Sequence, residues 1–594
     1  MTKFHVESIR RDTDKKRKVL LLGTCTMEAV TGGASGRIQF DHYLFESYRH
    51  SPMPSVNFEE YDAIVVQPTL RHLFHQASFP REGVKASDVA WTRLNSEEEA
   101  AAYIQSCGDA LASVMEKFTE IAAKRRVLFF SIVEPHRNYL GDLLSPYSLM
   151  NPASIVREIN KRMSEETCAR SGFHFVDIND ILSAKGRENI HDGYTSHMSH
   201  ASYMYVGHDS WDSNRVQGPM CRSELYDVKR GREETIPALG ERISDVLDVL
   251  EQRDQVKIII VDLDDTLWRG IAADEDKAGW EFSEGWPLGF VEALLVYKKR
   301  GGLLAICSKN DHAFIEGRFE HLVSGVISLS DFASVKINFD PKSKNISEIL
   351  SEVNLLPENA LFIDDNPREI DEVKNSFPTL RTLSKAYFGW REFIISSPTT
   401  QVSTITNESA NRTTTIRAKI LRDTEEKTMS RDEWLAALQV RCETVVIDSV
   451  EHENFSRAFE LLNKTNQFNT TGRRWSLGEA QDLFGRDGRM VAMFVRDKHV
   501  DNGLVGLALV CQDEFIQTVL SCRVFNLDVE LYLGHIVLSE MLSAYPSVHA
   551  SFVDTGRNKS SFDYYDRLGF AKLNERYETN SVPQVPEWIN AENN

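Results

Sequence analysis

The chain lacks any apolar run near the roughly 18 residues that span a bilayer, so no transmembrane helix and no membrane partner are expected. It also lacks a CxxC pair. Its eight cysteines are scattered, which excludes a disulfide framework or a zinc ribbon and points to a reducing cytoplasm. An excess of positive charge is missing too. Lys and Arg number 68 against 88 Asp and Glu, and a net charge of −20 repels a phosphate backbone, so no nucleic-acid partner is expected. The charged stretch MTKFHVESIRRDTDKKRK is not followed by an apolar segment with a cleavage site, so no secretory signal is expected. There is no internal repeat and no long low-complexity tract.

What is present is globular: 42% of residues are hydrophobic and 26% charged. At 594 residues the chain is too long for one core. Residues 1–250 alternate apolar runs (KVLLLG, AIVVQ, VLFFSIV, FHFVDI) with helical spacing over 96–125 and 151–172, which predicts an α/β layer on a mostly parallel sheet. The rhythm restarts at VKIIIVDLDD and continues through LLAICS and ALFIDD, so residues 251–395 form a second α/β domain. Residues 396–430 read as a linker that turns helical. Residues 431–582 form a third, α+β domain with strands at 444–450, 490–495, 503–511 and 515–525, and 583–594 read as a loose tail.

The second domain carries the chemistry. Asp262 and Asp264 follow an apolar strand, where open α/β sheets place ligands. Carboxylates two apart at a strand end can share a metal ion, one attacking phosphorus while the other handles the proton. Ser308 closes LLAICS and offers a hydroxyl, and Lys342 in FDPKSKN offers a positive charge. Asp364 and Asp365 close ALFIDD and complete an oxygen-rich site suited to Mg²⁺. The intervals between Asp262, Ser308 and Lys342 fit plain crossovers, which leaves no room for a large lid. An open site favours a bulky substrate or a neighbouring domain as cover.

DLDDT, the strand-end serine, the lysine and IDDNP resemble, in order, the four motifs of the haloacid dehalogenase superfamily. The resemblance implies a Rossmannoid sheet, Mg²⁺ and an aspartyl-phosphate. Asp262 would be the nucleophile and Asp264 the general acid/base. Thr266, Ser308 and Lys342 would hold the phosphoryl group. Asp262, Asp264 through its carbonyl, Asp364 and Asp365 would surround the metal.

LAICSKND, NKTNQFNTTGRRW, LSCRVFNLDVE and DTGRNKSSFDYYDRLGF narrow this further, for they resemble the FkbH-like family over residues 250–580. That resemblance implies removal of phosphate from a small phosphorylated acid, 1,3-bisphosphoglycerate, and transfer of the glyceryl unit to an acyl carrier protein. Asn526 and Leu527 stand where the family has Gly and Arg, and Phe339 where it often has Trp. The third domain is similar to the GNAT fold, but CRVFNLDVE has no glycine and two acids, a poor cradle for the pyrophosphate of coenzyme A. Cys522 would take the acyl group as a thiolate, with Arg523 nearby for a phosphate. Asn466, Gln467 and Asn469 offer amides to the acyl unit or the pantetheine arm. A small buried cysteine on a strand is the plain alternative for Cys522.

In the first domain GTCTMEAV resembles the position of the SGNH-esterase serine, and HDGYTSHMSH that of its partners. Cys25 would stand at the nucleophile position with Asp192 and His197 beside it. An SGNH- or flavodoxin-like layer used for packing or docking is the alternative. Two other readings of the whole chain stay open: a plain phosphatase of secondary or polysaccharide metabolism, and a non-catalytic scaffold that docks a carrier protein.

Overall fold

A computed structural model describes residues 16–591 except 24, 46–51, 69–93, 188–189, 191–228, 274–277, 287–288, 385–386, 406–410, 466 and 574–575. The chain divides into two compact units, residues 12–247 and 248–594.

In the first unit five parallel strands, β1 (Arg17–Gly23), β2 (Ile38–Leu44), β3 (Ala63–Val66), β4 (Arg126–Phe130) and β5 (Phe173–Val176), lie in the order β2-β1-β3-β4-β5. This is a doubly wound order that switches direction between β1 and β3. β1, β3 and β4 are almost wholly buried, which their unbroken apolar runs require. Helices Glu97–Glu116 and Pro152–Cys168 cover the sheet with Ile104, Leu111, Ile155, Ile159 and Met163. Sequence reasoning missed β2, because IQFDHYL at the sheet edge mixes polar and apolar residues on both faces.

The second unit begins with another parallel sheet. β6 (Ile258–Val261) lies at its centre in the order β10-β9-β6-β7-β8, with β7 (Leu303–Ser308), β8 (Ser334–Ile337), β9 (Ala360–Ile363) and β10 (Arg381–Leu383). All four residues of β6 are fully buried. Among the described residues the crossovers from β6 to β7 and from β7 to β8 contain helices and turns but no inserted sheet.

Helix Arg412–Glu426, in the expected linker, is not a free spacer. Its Ile416 enters the apolar layer of Ile258, Ile260 and Leu303, and its Arg422 pairs with Asp497 of the following sheet. That mixed sheet runs β17-β18-β16-β15-β14-β13-β11-β19, with β12 also on β15. It comprises β11 (Arg441–Ile447), β12 (Phe468–Asn469), β13 (Arg489–Arg496), β14 (Asp501–Cys511), β15 (Glu514–Leu520), β16 (Val548–Ala550), β17 (Ala571–Leu573), β18 (Arg576–Thr579) and β19 (Asn590–Ala591).

Two expectations change here. β15 stops at Leu520, so Cys522 is not on a strand but in a short 3₁₀ turn, Cys522–Val524. The expected loose tail is pinned instead. Trp588 donates from Nε1 to the Leu527 carbonyl at 3.2 Å, Ile589 is buried, and β19 pairs in parallel with Arg441 and Cys442 at the sheet edge. Among the described residues no helix is long and apolar enough to cross a membrane.

Candidate active site

Strand register assembles the acidic centre. Val261 of β6 pairs with Ile363 of β9, so Asp262 and Asp364, one residue beyond each, emerge side by side at the carboxyl end of the sheet. Ser308 ends the neighbouring β7. Lys342 opens the helix Lys342–Glu352 that follows β8. These side chains are deep: Asp262 is 7% exposed, Lys342 3%, Ser308 1%, and Thr266 and Asp364 fully buried.

The Lys342 ammonium lies 3.0 Å from Asp262 Oδ1 and 2.5 Å from Asp364 Oδ2. Burial pulls this lysine down, but the two carboxylates outweigh it and hold the ammonium above its ordinary range. Asp364 is pushed up to about 6 by burial and by the Asp262 charge, against the pull of Lys342. Asp365 is raised by burial and by Asp262 and Asp265. Thr266 links the two loops, its Oγ1 accepting from the Asp365 amide at 3.1 Å. Asp265 has a φ of 51° and accepts from the Gly270 amide at 2.8 Å, which folds DLDDTLWRG into a tight loop over the strand end.

Asp264 points elsewhere. Its carboxylate accepts from Trp268 Nε1 at 2.8 Å, the Ala272 amide at 3.0 Å and Asn310 Nδ2 at 2.9 Å. Its side chain is therefore outside the acidic cluster, and only its carbonyl is left to serve a metal. Asn310 and Trp268 were not singled out from sequence. Asn310, also 3.3 Å from Ser308 Oγ, sits two residues after a recognised motif, the one signal that pointed to it.

Oxygens of Asp262, Asp364 and Asp365 lie within 4.8 Å of one another. Asp262 Oδ1 is buried without a well-aligned hydrogen bond among the described residues. An all-oxygen triad with an under-satisfied oxygen fits a hard divalent cation such as Mg²⁺. A pH dependence follows. The raised carboxyl of Asp364 favours the folded, metal-free protein below about pH 4, and that contribution is lost as pH rises through about 6. A cation must displace the same proton. The rise in Tm on adding Mg²⁺ is therefore expected to be small at pH 5 and complete by pH 7, measured by thermal shift at both, and to lose this dependence in Asp364→Asn.

The remaining candidates lie apart from this centre. Cys522 lies at helix Arg412–Glu426, whose Arg422 donates to the carbonyl of the next residue, Arg523, at 2.6 Å. Lys257 precedes β6, its carbonyl accepting from the Leu303 amide at the start of β7, and the same helix donates to the carbonyls of Gly301, Leu329 and Phe332, so it lies at the amino end of the sheet and Asp262 at the carboxyl end. Five residues of extended chain separate Lys257 from Asp262, roughly 16 Å. Gln467 is exposed and accepts from Asn354 Nδ2 at 3.0 Å, on the same amino-end side as Asn359 and β9.

Asn469, expected to face an acyl unit, is fully buried. Its Oδ1 accepts from the Gly472 amide and Gln517 Nε2, and its Nδ2 donates to the Thr465 carbonyl, so it braces the loop rather than a ligand. Arg523 donates from Nε to Ser521 Oγ at 3.1 Å. Asp528 and Glu530, at the start of helix Val529–Ala544, are tied to Arg567 at 2.6 and 2.8 Å, so a pyrophosphate would meet carboxylates there. Asn466, Asp192 and His197 lie outside the described residues, as does the side chain of Cys25.

No family model matches this chain, and no curated protein matches it. Among solved structures it is similar to the N-terminal part of the protein BF1531 from Bacteroides fragilis, which contains a phosphatase domain complexed with Mg. The identity is 18% and the TM-score 0.43, over 64% of this chain and 93% of that one. It is also similar to 3-deoxy-D-manno-octulosonate 8-phosphate phosphatase from Moraxella catarrhalis, solved with magnesium, phosphate and KDO (15% identity, TM-score 0.19, 26% of this chain and 92% of that one). A third similarity is to hypothetical protein XCC2798 from Xanthomonas campestris (16% identity, TM-score 0.17, 31% and 93%). Both of the first two structures were solved with magnesium.

Proposed function

We propose that the second unit is a Mg²⁺-dependent phosphatase of haloacid-dehalogenase type acting on a phosphorylated small acid, and that the acid's acyl unit passes through Cys522 to an acyl carrier protein in the cytoplasm. The observation that carries the phosphatase reading is the division of labour between two aspartates. Asp262 lies in the acidic cluster against Lys342, whereas Asp264 is held out of it by three donors. Asp262 is thus oriented to attack phosphorus, with Thr266, Ser308 and Lys342 around the phosphoryl oxygens. Asp264 is oriented to protonate the leaving oxygen and then to take a proton from the water that splits the aspartyl-phosphate. A bound Mg²⁺, held by Asp262, Asp364, Asp365 and the Asp264 carbonyl, supplies charge neutralisation at the phosphoryl group.

The separation of Cys522 from Asp262 suits a substrate with two unlike phosphoryl groups. 1,3-Bisphosphoglycerate has an acyl phosphate and a phosphate ester. At Cys522 the thiolate attacks the acyl carbon, a C–S bond forms, and the C–O bond to the acyl phosphate breaks, the electron pair leaving on inorganic phosphate. The carrier thiolate then displaces Cys522. The ester phosphate is left for Asp262.

Mass spectrometry of a carrier protein incubated with the chain, Mg²⁺ and 1,3-bisphosphoglycerate is expected to show a glyceryl gain. Cys522→Ala is expected to lose that gain while still releasing phosphate from 3-phosphoglycerate. An unchanged carrier mass with the parent chain would overturn transfer and leave the second reading, a plain phosphatase, which the distance between the two sites also accommodates.

A further inference from the structure

Two loops carry the acidic centre, and a bridge of three side chains joins them at its mouth. In the first loop the Asp265 amide donates to the Gly270 carbonyl at 3.2 Å, which sets Arg269 in the turn. In the second, Ser384 Oγ donates to the Asp365 carbonyl at 3.5 Å, and Tyr387 follows three residues later at the start of helix Tyr387–Ser396. Trp286 spans the two. The Arg269 guanidinium stands 5.8 Å from the centre of its ring, and the Tyr387 ring packs against it at 4.9 Å. The Arg269 amide donates to the Phe282 carbonyl at 2.9 Å and its guanidinium to the Glu284 carbonyl at 3.2 Å, so the segment leading to Trp286 is fixed to the first loop.

All three side chains are donors with little to donate to. Trp286 Nε1 is shielded from solvent without an acceptor, and no described residue accepts from the hydroxyl of the half-buried Tyr387, although buried indoles and phenols usually find a partner. Arg269 is exposed and bonds one carbonyl, and among the described residues no carboxylate comes within ion-pair distance of it. Lys309 and Lys344, at the same end of the sheet, are paired with Glu369 and Asp340. An arginine held at one nitrogen and steadied by a ring keeps the rest of its N–H fork in place for a planar acid. A cavity of about 360 Å³ beside Arg269 gives such a group room, and Trp280, Glu281 and Glu284 also line it. Glu281 is turned to the Ala278 amide at 2.7 Å, which leaves the Glu284 carboxylate as the charge opposed to an anion there.

We propose that Arg269, with Trp286 and Tyr387 beside it, binds the carboxylate of the phosphorylated acid whose phosphoryl group enters the acidic centre. This deepens the phosphatase reading and rests on it for the place of the phosphoryl group. Arg269 is then a specificity residue. An ester of the same size without a carboxylate leaves the fork unanswered, which is how a polar site rejects an analogue.

Calorimetry on the full-length Asp262→Asn chain with Mg²⁺ measures binding without turnover. 3-Phosphoglycerate is expected to bind about 10- to 100-fold more tightly than glycerol phosphate, in which CH₂OH replaces the carboxylate, as a charge-assisted pair implies. Arg269→Gln on the same background is expected to remove the difference by weakening 3-phosphoglycerate alone, whereas a merely structural role would weaken both esters alike. Arg269→Lys is expected to restore part of it, because the charge returns without the fork. Glu284→Gln is expected to widen it. Equal affinity for the two esters, no binding of either, or a difference that survives Arg269→Gln overturns the site. The phosphatase reading is judged separately, by phosphate release from p-nitrophenyl phosphate with Asp262 intact. Discrimination without release would sink that reading and leave Arg269 as a carboxylate site.

Discussion

Asp262→Asn is expected to lower Mg²⁺-dependent phosphate release by a factor on the order of 10⁴ or more, as loss of a covalent nucleophile does. The amide has no lone pair basic enough to attack phosphorus. It also turns an uncharged group, or an N–H donor, towards Lys342, which is 3.0 Å from Asp262 Oδ1 and then has only Asp364 as counter-charge. The shape is unchanged and β6 is untouched, so the folded state survives and the loss belongs to the chemistry. Phosphate release from 3-phosphoglycerate and from p-nitrophenyl phosphate measures it. A variant within tenfold of the parent on both substrates removes Asp262 from the reaction.

Arg422→Ala is expected to cost about 3–5 kcal/mol of stability. Arg422 is 2% exposed and bonds two partners, Asp497 and the Arg523 carbonyl, the latter at 2.6 Å. The Asp497 side chain is fully buried and also accepts from the amides of His499 and Val500 and from Asn502 Nδ2. Without the guanidinium a carboxylate is left buried and unpaired, and the turn carrying Cys522 loses a clamp. Urea unfolding followed by tryptophan fluorescence should show the fall. Arg422→Met with Asp497→Leu should recover part of it, because both charges then go together. A midpoint unchanged in Arg422→Ala would show that this pair contributes nothing.

The parallel sheets were legible because buried parallel strands need continuous apolar runs, as IIIV and LLAICS show. The acidic centre was legible for a related reason, since its residues sit one or two positions beyond those runs. Edge strands were not. IQFDHYL and SVKI carry no pure period, and their pairing is decided by neighbours far along the chain. Cys522 was located in sequence but not in space. Arg422, which holds the turn through the Arg523 carbonyl, is 101 residues earlier, and nothing local to LSCRVF announces that the strand ends at Leu520. Asn469 misled because its amide looks the same in sequence whether it serves a ligand or the loop that folds around it.

β6 has a consequence for timing. A single strand of four residues carries Asp262 beyond one end and Lys257 before the other. On the proposed reading, an acid bound at one end is roughly 16 Å from the other, so it has to be released or carried across. The partly processed acid, free or on its carrier, should therefore mix with the surrounding solution between steps. Isotopically labelled intermediate added from outside should enter the product in proportion to its concentration, whereas a sealed channel would exclude it.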